Sequence, residues 1–272
     1  MRAQTVGAFL GPYRNLTTLT ASVLALHPHV QVLNHAGRRL LARPELDFVN
    51  DPRPETWERF RETALAESVG GSPGLHGGSI TLSHAFEVPE LRESYRARFG
   101  DEQMRQRIDA LVWKDSLVLS RAIRKSGVEL ERLFAGCAGL RFLVPVRHPI
   151  DCAVSCVLYG HGKLYTREVS VVGVLSGVLR ELAWARTVQQ AWPDRVMLFW
   201  EDEPGVDVLQ RMARFLELED DRRWLDDAAR CFVVKKLYEH PEGLVARYEA
   251  KVRDLFANDD AFAKQLLRFV YS

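Results

Sequence analysis

Thr5-Val6-Gly7-Ala8-Phe9-Leu10-Gly11-Pro12-Tyr13-Arg14-Asn15-Leu16-Thr17-Thr18-Leu19 decides the fold. Its first six residues are an apolar run short enough for a buried strand. Gly11-Pro12 ends that run. Leu19, Val23 and Leu26 then recur at helical spacing and make one apolar helix face. A strand therefore enters a tight loop, and the loop delivers an arginine and two threonines to a helix start. Unpaired backbone N–H groups and the positive end of the helix dipole make such a place a natural anion site. A nucleotide phosphate is the expected occupant.

Working outward, His27-Pro28-His29 breaks the helix, and Val30-Gln31-Val32-Leu33 reads as a second strand ending at Asn34-His35. Strand, helix and strand in about thirty residues form a βαβ unit, which implies parallel strands. Helices are predicted over 54–68, 87–98, 101–109 and 117–126, the first with a proline near its start. Leu111-Val112-Trp113 is a short third strand, and Arg141 to Val146 a fourth, although Pro145 is unusual inside a central strand. A long helix through Leu175, Val178, Leu179, Leu182 and Ala185 precedes the strand Val196 to Trp200. Val208, Leu209, Met212, Phe215 and Leu216 mark another helix, and the last fifty or so residues are mostly helical. The expected architecture is α/β: a doubly wound, P-loop-like three-layer αβα sandwich with a central, mostly parallel sheet and a helical C-terminal part. Residues 1–272 are read as a single domain, with the ligand at the carboxyl ends of the strands. The glycine-rich stretch 70–79 is expected to border a second substrate.

Composition narrows the function. Lys+Arg is 37 against 36 Asp+Glu, a net charge of +1, so nothing favours nucleic acid or an anionic membrane, and any anion site must be local. No apolar run approaches the roughly 18 residues of a membrane span, and residues 5–10 are too short for a signal sequence. Cys152 and Cys156 lie four apart on a predicted helix without matching His/Cys partners at ligand spacing. The pair reads as two buried reduced thiols, and the protein as cytoplasmic with no metal site.

A Walker A loop needs G-x-x-x-x-G-K-[ST]. Counted from Gly11, Leu16 stands at the second glycine and Thr17 at the lysine, so an ATP-hydrolysing P-loop is a poor match. The cation instead sits inside the loop, as P-x-R-x-x-T-T. This stretch, followed by Leu26-His27-Pro28-His29-Val30, resembles the 5′-phosphosulfate loop of PAPS-dependent sulfotransferases, most closely the tyrosylprotein, carbohydrate and bacterial branches. Asn15 and Leu16 replace the usual Ser-Gly, and Leu16 narrows the approach of a phosphate to the backbone. Phe142 to Ser155 resembles the family's 3′-phosphate motif: an apolar strand, then Arg147, Pro149, Asp151 and Ser155, with Arg and Ser eight apart. Trp113-Lys114-Asp115-Ser116 and Val196 to Asp202 resemble two further segments, in the family's order.

The resemblance implies PAPS as donor, PAP as product and no metal. It implies that Arg14, Asn15, Leu16, Thr17 and Thr18 hold the 5′-phosphosulfate, that Arg147 and Ser155 hold the 3′-phosphate, and that Lys235, with Lys236, covers it. Lys114 and Arg14 would act on the transferring group, with Lys114 at the bridging oxygen. His35 falls where the tyrosylprotein branch carries its base and is the expected general base; His84 is the second candidate. Glu201 is expected to be structural, while Lys163, Tyr165 and Arg167 follow the motif helix and would line cofactor or acceptor. The acceptor would be a hydroxyl of a carbohydrate or a small natural product. Two other readings stay open: a P-loop kinase of a small metabolite, and a non-catalytic PAP- or nucleotide-binding relative.

Overall fold

The computed structural model describes residues 3–72, 77–203, 205–234 and 238–271. In chain order the first elements are β1 (Thr5–Phe9), α1 (Thr17–Leu24), β2 (Val30–Asn34), α2 (Gly37–Leu41), α3 (Pro54–Ala66) and α4 (Pro89–Phe99). Then come β3 (Ala110–Lys114), α5 (Ser116–Ser126), α6 (Leu130–Gly136), β4 (Leu140–Val146), α7 (Pro149–Leu158), α8 (Val171–Ala191) and β5 (Val196–Trp200). Four helices close the chain: α9 (Val206–Phe215), α10 (Arg222–Cys231), α11 (Glu242–Leu255) and α12 (Asp260–Tyr271). The strands form one sheet in the order β2-β3-β1-β4-β5, with every pairing parallel.

The strands are buried on both faces, and the period-2 alternation of side chains divides the core. Val6, Ala8, Leu111, Trp113, Phe142 and Val144 point to one side, where Trp57 and Phe60 of α3 and Leu119 and Ile123 of α5 meet them. Phe9, Ala110, Val112, Leu143, Met197 and Phe199 point to the other, against α1, α4, α9 and α10. A third cluster lies past the ends of β4 and β5, where Val146 and Trp200 meet α7, α8, α11 and α12. Burying each large apolar side chain contributes roughly 1.5–3 kcal/mol, so these layers carry the fold. Among the described residues no helix is long and apolar enough to cross a membrane.

Pro145 proves compatible with a central strand for a local reason. β1 and β4 pair only as far as Phe9 with Leu143, whose carbonyl accepts from Leu10 N–H. By the strand's alternation the imino nitrogen of Pro145 faces the same side, two residues beyond that last pairing. No ladder bond is lost there, and on the other side Pro145 stays in register with Phe199.

Residues 101–109 do not form the helix their polar pattern predicts. Tertiary contacts take the backbone instead. Gln31 Nε2 donates to Gln103 O (3.0 Å), and Gln31 Oε1 accepts from Arg105 N (3.2 Å). Arg105 is buried, donates to Ala25 O and lies over the Phe99 ring at 3.4 Å.

Candidate functional site

The loop between β1 and α1 turns sharply outward from the sheet. Gly11 takes φ 102°, and two residues with side chains, Arg14 (φ 64°) and Leu16 (φ 59°), also sit in left-handed backbone. Such a residue costs on the order of 1–2 kcal/mol. Neighbouring elements hold the strain in place. Ser120 Oγ accepts from Gly11 N–H (3.0 Å), and Ser116 Oγ donates to Pro12 O (3.1 Å). The Tyr165 hydroxyl accepts from Tyr13 N–H (2.6 Å). Cys156 donates weakly to Tyr13 O (3.6 Å) and Cys152 to Arg14 O (3.5 Å). Burial raises both thiols, Cys156 to about 12, so they stay protonated donors, and all four cysteines are free.

Asn15 ties the loop to the end of β4. It is fully buried, its Nδ2 donates to Pro145 O, and its Oδ1 accepts from Arg147 N–H (2.8 Å). Its side chain is thus spent within the protein, and the groups left to meet a ligand are the backbone of the loop and the start of α1. There Leu16 is the N-cap and makes no side-chain cap bond. Thr17 and Thr18 form the first turn.

Arg14, Leu16, Thr17, Thr18, Lys114 and Arg147 line one cavity of about 310 Å³, bordered by His35 and His84. It lies at the carboxyl end of the sheet, and no carboxylate is among its described lining residues. Ser155, on α7, is fully buried and accepts from Arg14 Nε (2.9 Å), so two residues expected at opposite ends of the ligand touch each other. Arg14 also lies 4.5 Å from the centre of the Tyr159 ring. The Arg147 guanidinium is held between Asp151 (3.6 Å) and Glu201 (3.9 Å) and donates to Arg14 O (3.5 Å). Asp151 also pairs with His240 (2.5 Å). Glu201 accepts from His148 N–H (3.0 Å), and His148 Nδ1 accepts from Ile150 N–H, capping α7 ahead of Pro149. Lys235 and Lys236 lie outside the described residues.

His35 follows β2 in left-handed backbone (φ 60°), as does Ala36. Trp113 Nε1 donates to His35 O (3.0 Å) and His35 N–H donates to Lys114 O (3.2 Å), which pin this turn to the end of β3. Lys114 Nζ lies 2.8 Å from His35 Nε2. Burial, then the charge of Lys114, then that of His84, lower the His35 imidazole from 6.5 to about 3. Burial first, with Arg14 also lowering it, brings Lys114 to about 8. His35 is therefore neutral and Lys114 charged near neutral pH. Lysine donates to Nε2, and the imidazole proton sits on Nδ1. Burial also lowers His84, with Arg14 and Lys114 adding to the effect.

Sequence reading missed Asp115. It is buried, its carboxylate accepts from Gly37 N–H at the start of α2, and desolvation raises it to about 6. The one signal was an acid directly after the lysine of the third strand. Tyr165, expected to line a ligand, instead turns inward to the loop, whereas Lys163 lines a second cavity of about 430 Å³. That cavity shares Tyr13, His35 and His161 with the first. Its walls come from residues 35–39, 115–121 and 160–164. Among the described residues the glycine stretch lines neither cavity; Gly77 packs against Ala36, where an added Cβ would stand 2.7 Å from Ala36 Cβ, and Pro73 to His76 lie outside the described residues.

No protein-family model matches the chain. No curated relative matches it either. Several solved structures are similar in fold, among them three sulfotransferases. The mouse sulfotransferase SULT7A1 complexed with PAP is 10% identical, covers 99% of this chain and 88% of its own, and superposes with a TM-score of 0.46. The sulfotransferase domain of the Synechococcus olefin synthase is 18% identical over 84% of this chain and 78% of its own, with a TM-score of 0.41. Sulfotransferase STF9 from Mycobacterium avium is 12% identical over 95% and 76%, with a TM-score of 0.45. At these values a functional reading has to come from the site itself.

Proposed function

We propose that this chain is a PAPS-dependent sulfotransferase that moves a sulfuryl group to a hydroxyl of a carbohydrate or a small natural product. One observation carries the reading. Three cations, Arg14, Lys114 and Arg147, and the first turn of α1 line a cavity with no acid among its described lining residues, and that cavity meets a second one at His35. Such a donor set fits a ligand with separated anionic groups, and PAPS has them at its 5′ and 3′ ends. When bound, PAPS supplies a sulfuryl group activated by its anhydride link to phosphate.

The chain's own residues have these roles. Backbone N–H groups from Leu16 onward, with the Thr17 and Thr18 hydroxyls, hold the 5′ end. Arg147, fixed by Asp151 and Glu201, holds the 3′-phosphate, and Ser155 acts behind it as the buried seat of Arg14. Arg14, seated on Ser155, reaches the anionic groups from between. Lys114 neutralises charge on the bridging oxygen, where fixed positive charge is worth most in a buried site. His35 takes the proton of the acceptor hydroxyl. Lys114 now occupies the Nε2 lone pair that would accept it. An anion in the first cavity competes for the ammonium, and loss of that bond frees Nε2 and makes the imidazole more basic.

Isothermal titration with PAP, AMP and ATP tests the reading. PAP is expected to bind selectively, and Arg147→Ala to lower its affinity roughly 10- to 100-fold, the worth of one hydrogen-bonded charge pair. Equal binding of AMP and PAP would remove the 3′-phosphate site. PAP binding with transfer unaffected by His35→Gln would leave a nucleotide-binding protein without this base.

A further inference from the structure

The second cavity has a polarity of its own. At its inner end are His35 and Asp115; along its wall run Leu117, Val118 and Leu164; toward solvent stand Arg121 and Lys163. Leu117, Val118 and Arg121 fall on one face of α5 by their three- and four-residue spacing. The rise from Ser116 to Arg121 is about 7.5 Å, so the guanidinium starts that far out from the end of the sheet.

The charges do not cancel there. Arg39 is paired with Glu67, and Asp115 lies against Arg38 and Lys114. Arg121 and Lys163 have no carboxylate within ion-pair distance among the described residues. They come from separate segments, α5 and the turn after α7, yet flank the same opening. Two uncompensated cations at the mouth of an apolar slot favour a molecule with an apolar body and a negative outer end.

We infer that the acceptor is an amphiphilic hydroxy acid: its hydroxyl at His35, its apolar body along Leu117, Val118 and Leu164, and its anionic group, carboxylate or phosphate, between Arg121 and Lys163. This rests on the proposed sulfuryl transfer for the role of the hydroxyl, but not for the binding preference. A neutral saccharide would leave both cations unmatched and cover apolar wall with hydroxyls.

The test is a binding comparison at saturating PAP, using ω-hydroxyalkanoates of six to twelve carbons, their methyl esters, and the matching ω-hydroxyalkyl phosphates. At least one acid is expected to bind tenfold or more tighter than its ester. Arg121→Gln combined with Lys163→Gln should close that gap while PAP affinity and the melting temperature stay unchanged. The relative affinity of carboxylate and phosphate tells which anion the site takes. Acids and esters binding alike, no measurable binding of any at millimolar concentration, or a gap that persists in the double variant would each overturn the inference. PAP selectivity is measured separately, so its failure would strike the transferase reading, whereas its success with indifferent acids would strike only this one.

Discussion

Replacing His35 with glutamine should remove a definite part of the protein's acid sensitivity. The His35 imidazole is held at about 3 in the folded chain, by burial first and by Lys114 and His84 next, against 6.5 as its ordinary value. Between those two values the unfolded chain binds a proton that the folded chain refuses. Stability from this group is therefore present above the unfolded value and falls as pH drops below it. Going from about pH 7.5 to about pH 5.5 the loss is about 1.4 kcal/mol; at about pH 4.5 it reaches about 2.7 kcal/mol. For a chain of this size the first figure is a fall of about 3 °C in melting temperature. His27 and His84 are also lowered, and Asp115 is raised, but those groups remain in both proteins and cancel in the comparison to first order. Glutamine keeps a carbonyl that can accept from Lys114. The assay is urea unfolding of wild type and His35→Gln at each pH. The variant should lose about 1.4 kcal/mol less than wild type over the first interval. Equal losses, within about 0.3 kcal/mol, would refute the claim that His35 is buried beside a charged lysine.

Three further outcomes test the framework around the loop. Asn15→Leu would strand the Pro145 carbonyl and the Arg147 N–H, both buried, and should cost about 3 kcal/mol in urea unfolding along with most PAP affinity; a loss under about 1 kcal/mol would contradict the role given to Asn15. Leu16→Gly should relieve left-handed strain and stabilise the protein by about 1 kcal/mol, with PAP binding kept or improved; destabilisation in the same assay would mean the Leu16 side chain matters more than its backbone. Lys114→Met should raise the His35 imidazole toward its ordinary range, read by NMR titration of the ring, and sharply slow sulfuryl transfer; a ring that still titrates near 3 would leave burial alone to explain it.

The sheet and its order of elements were readable because the signals were local. Continuous apolar runs bounded by polar residues marked all five strands, and helical spacing marked the long helices. The missed features depend on distant partners. Residues 101–109 carry a polar pattern a helix would tolerate, but Gln31 and the seat for Arg105 lie some seventy residues upstream. Nothing in the sequence singles out Ser120 or ties Ser116 to the first loop, yet they hold Gly11 and Pro12. Tyr165 was expected at a ligand and instead closes the loop at Tyr13. Asp115 gave little sign, because its importance arises from burial opposite Gly37 and from nothing in its sequence context.

The same contacts explain how this loop keeps its turn where the motif it resembles has glycine. A left-handed residue with a side chain costs about 1–2 kcal/mol, and this loop contains two, Arg14 and Leu16. One buried side-chain hydrogen bond returns about 1 kcal/mol net, and the loop is bonded to Ser116, Ser120, Tyr165, Cys152, Cys156 and, through its own Asn15, to Pro145. Their sum is comparable with the strain. Because those partners come from α5, α7, β4 and the segment before α8, the turn exists only in the assembled sheet-and-helix framework, not as a local property of residues 11–16. Glycine makes such a loop by its own freedom, whereas here the surrounding side chains impose it. The loop is consequently expected to be stiff before any ligand arrives. It then spends little conformational entropy on binding. The approach that Leu16 narrows is met by a backbone already turned toward the first cavity.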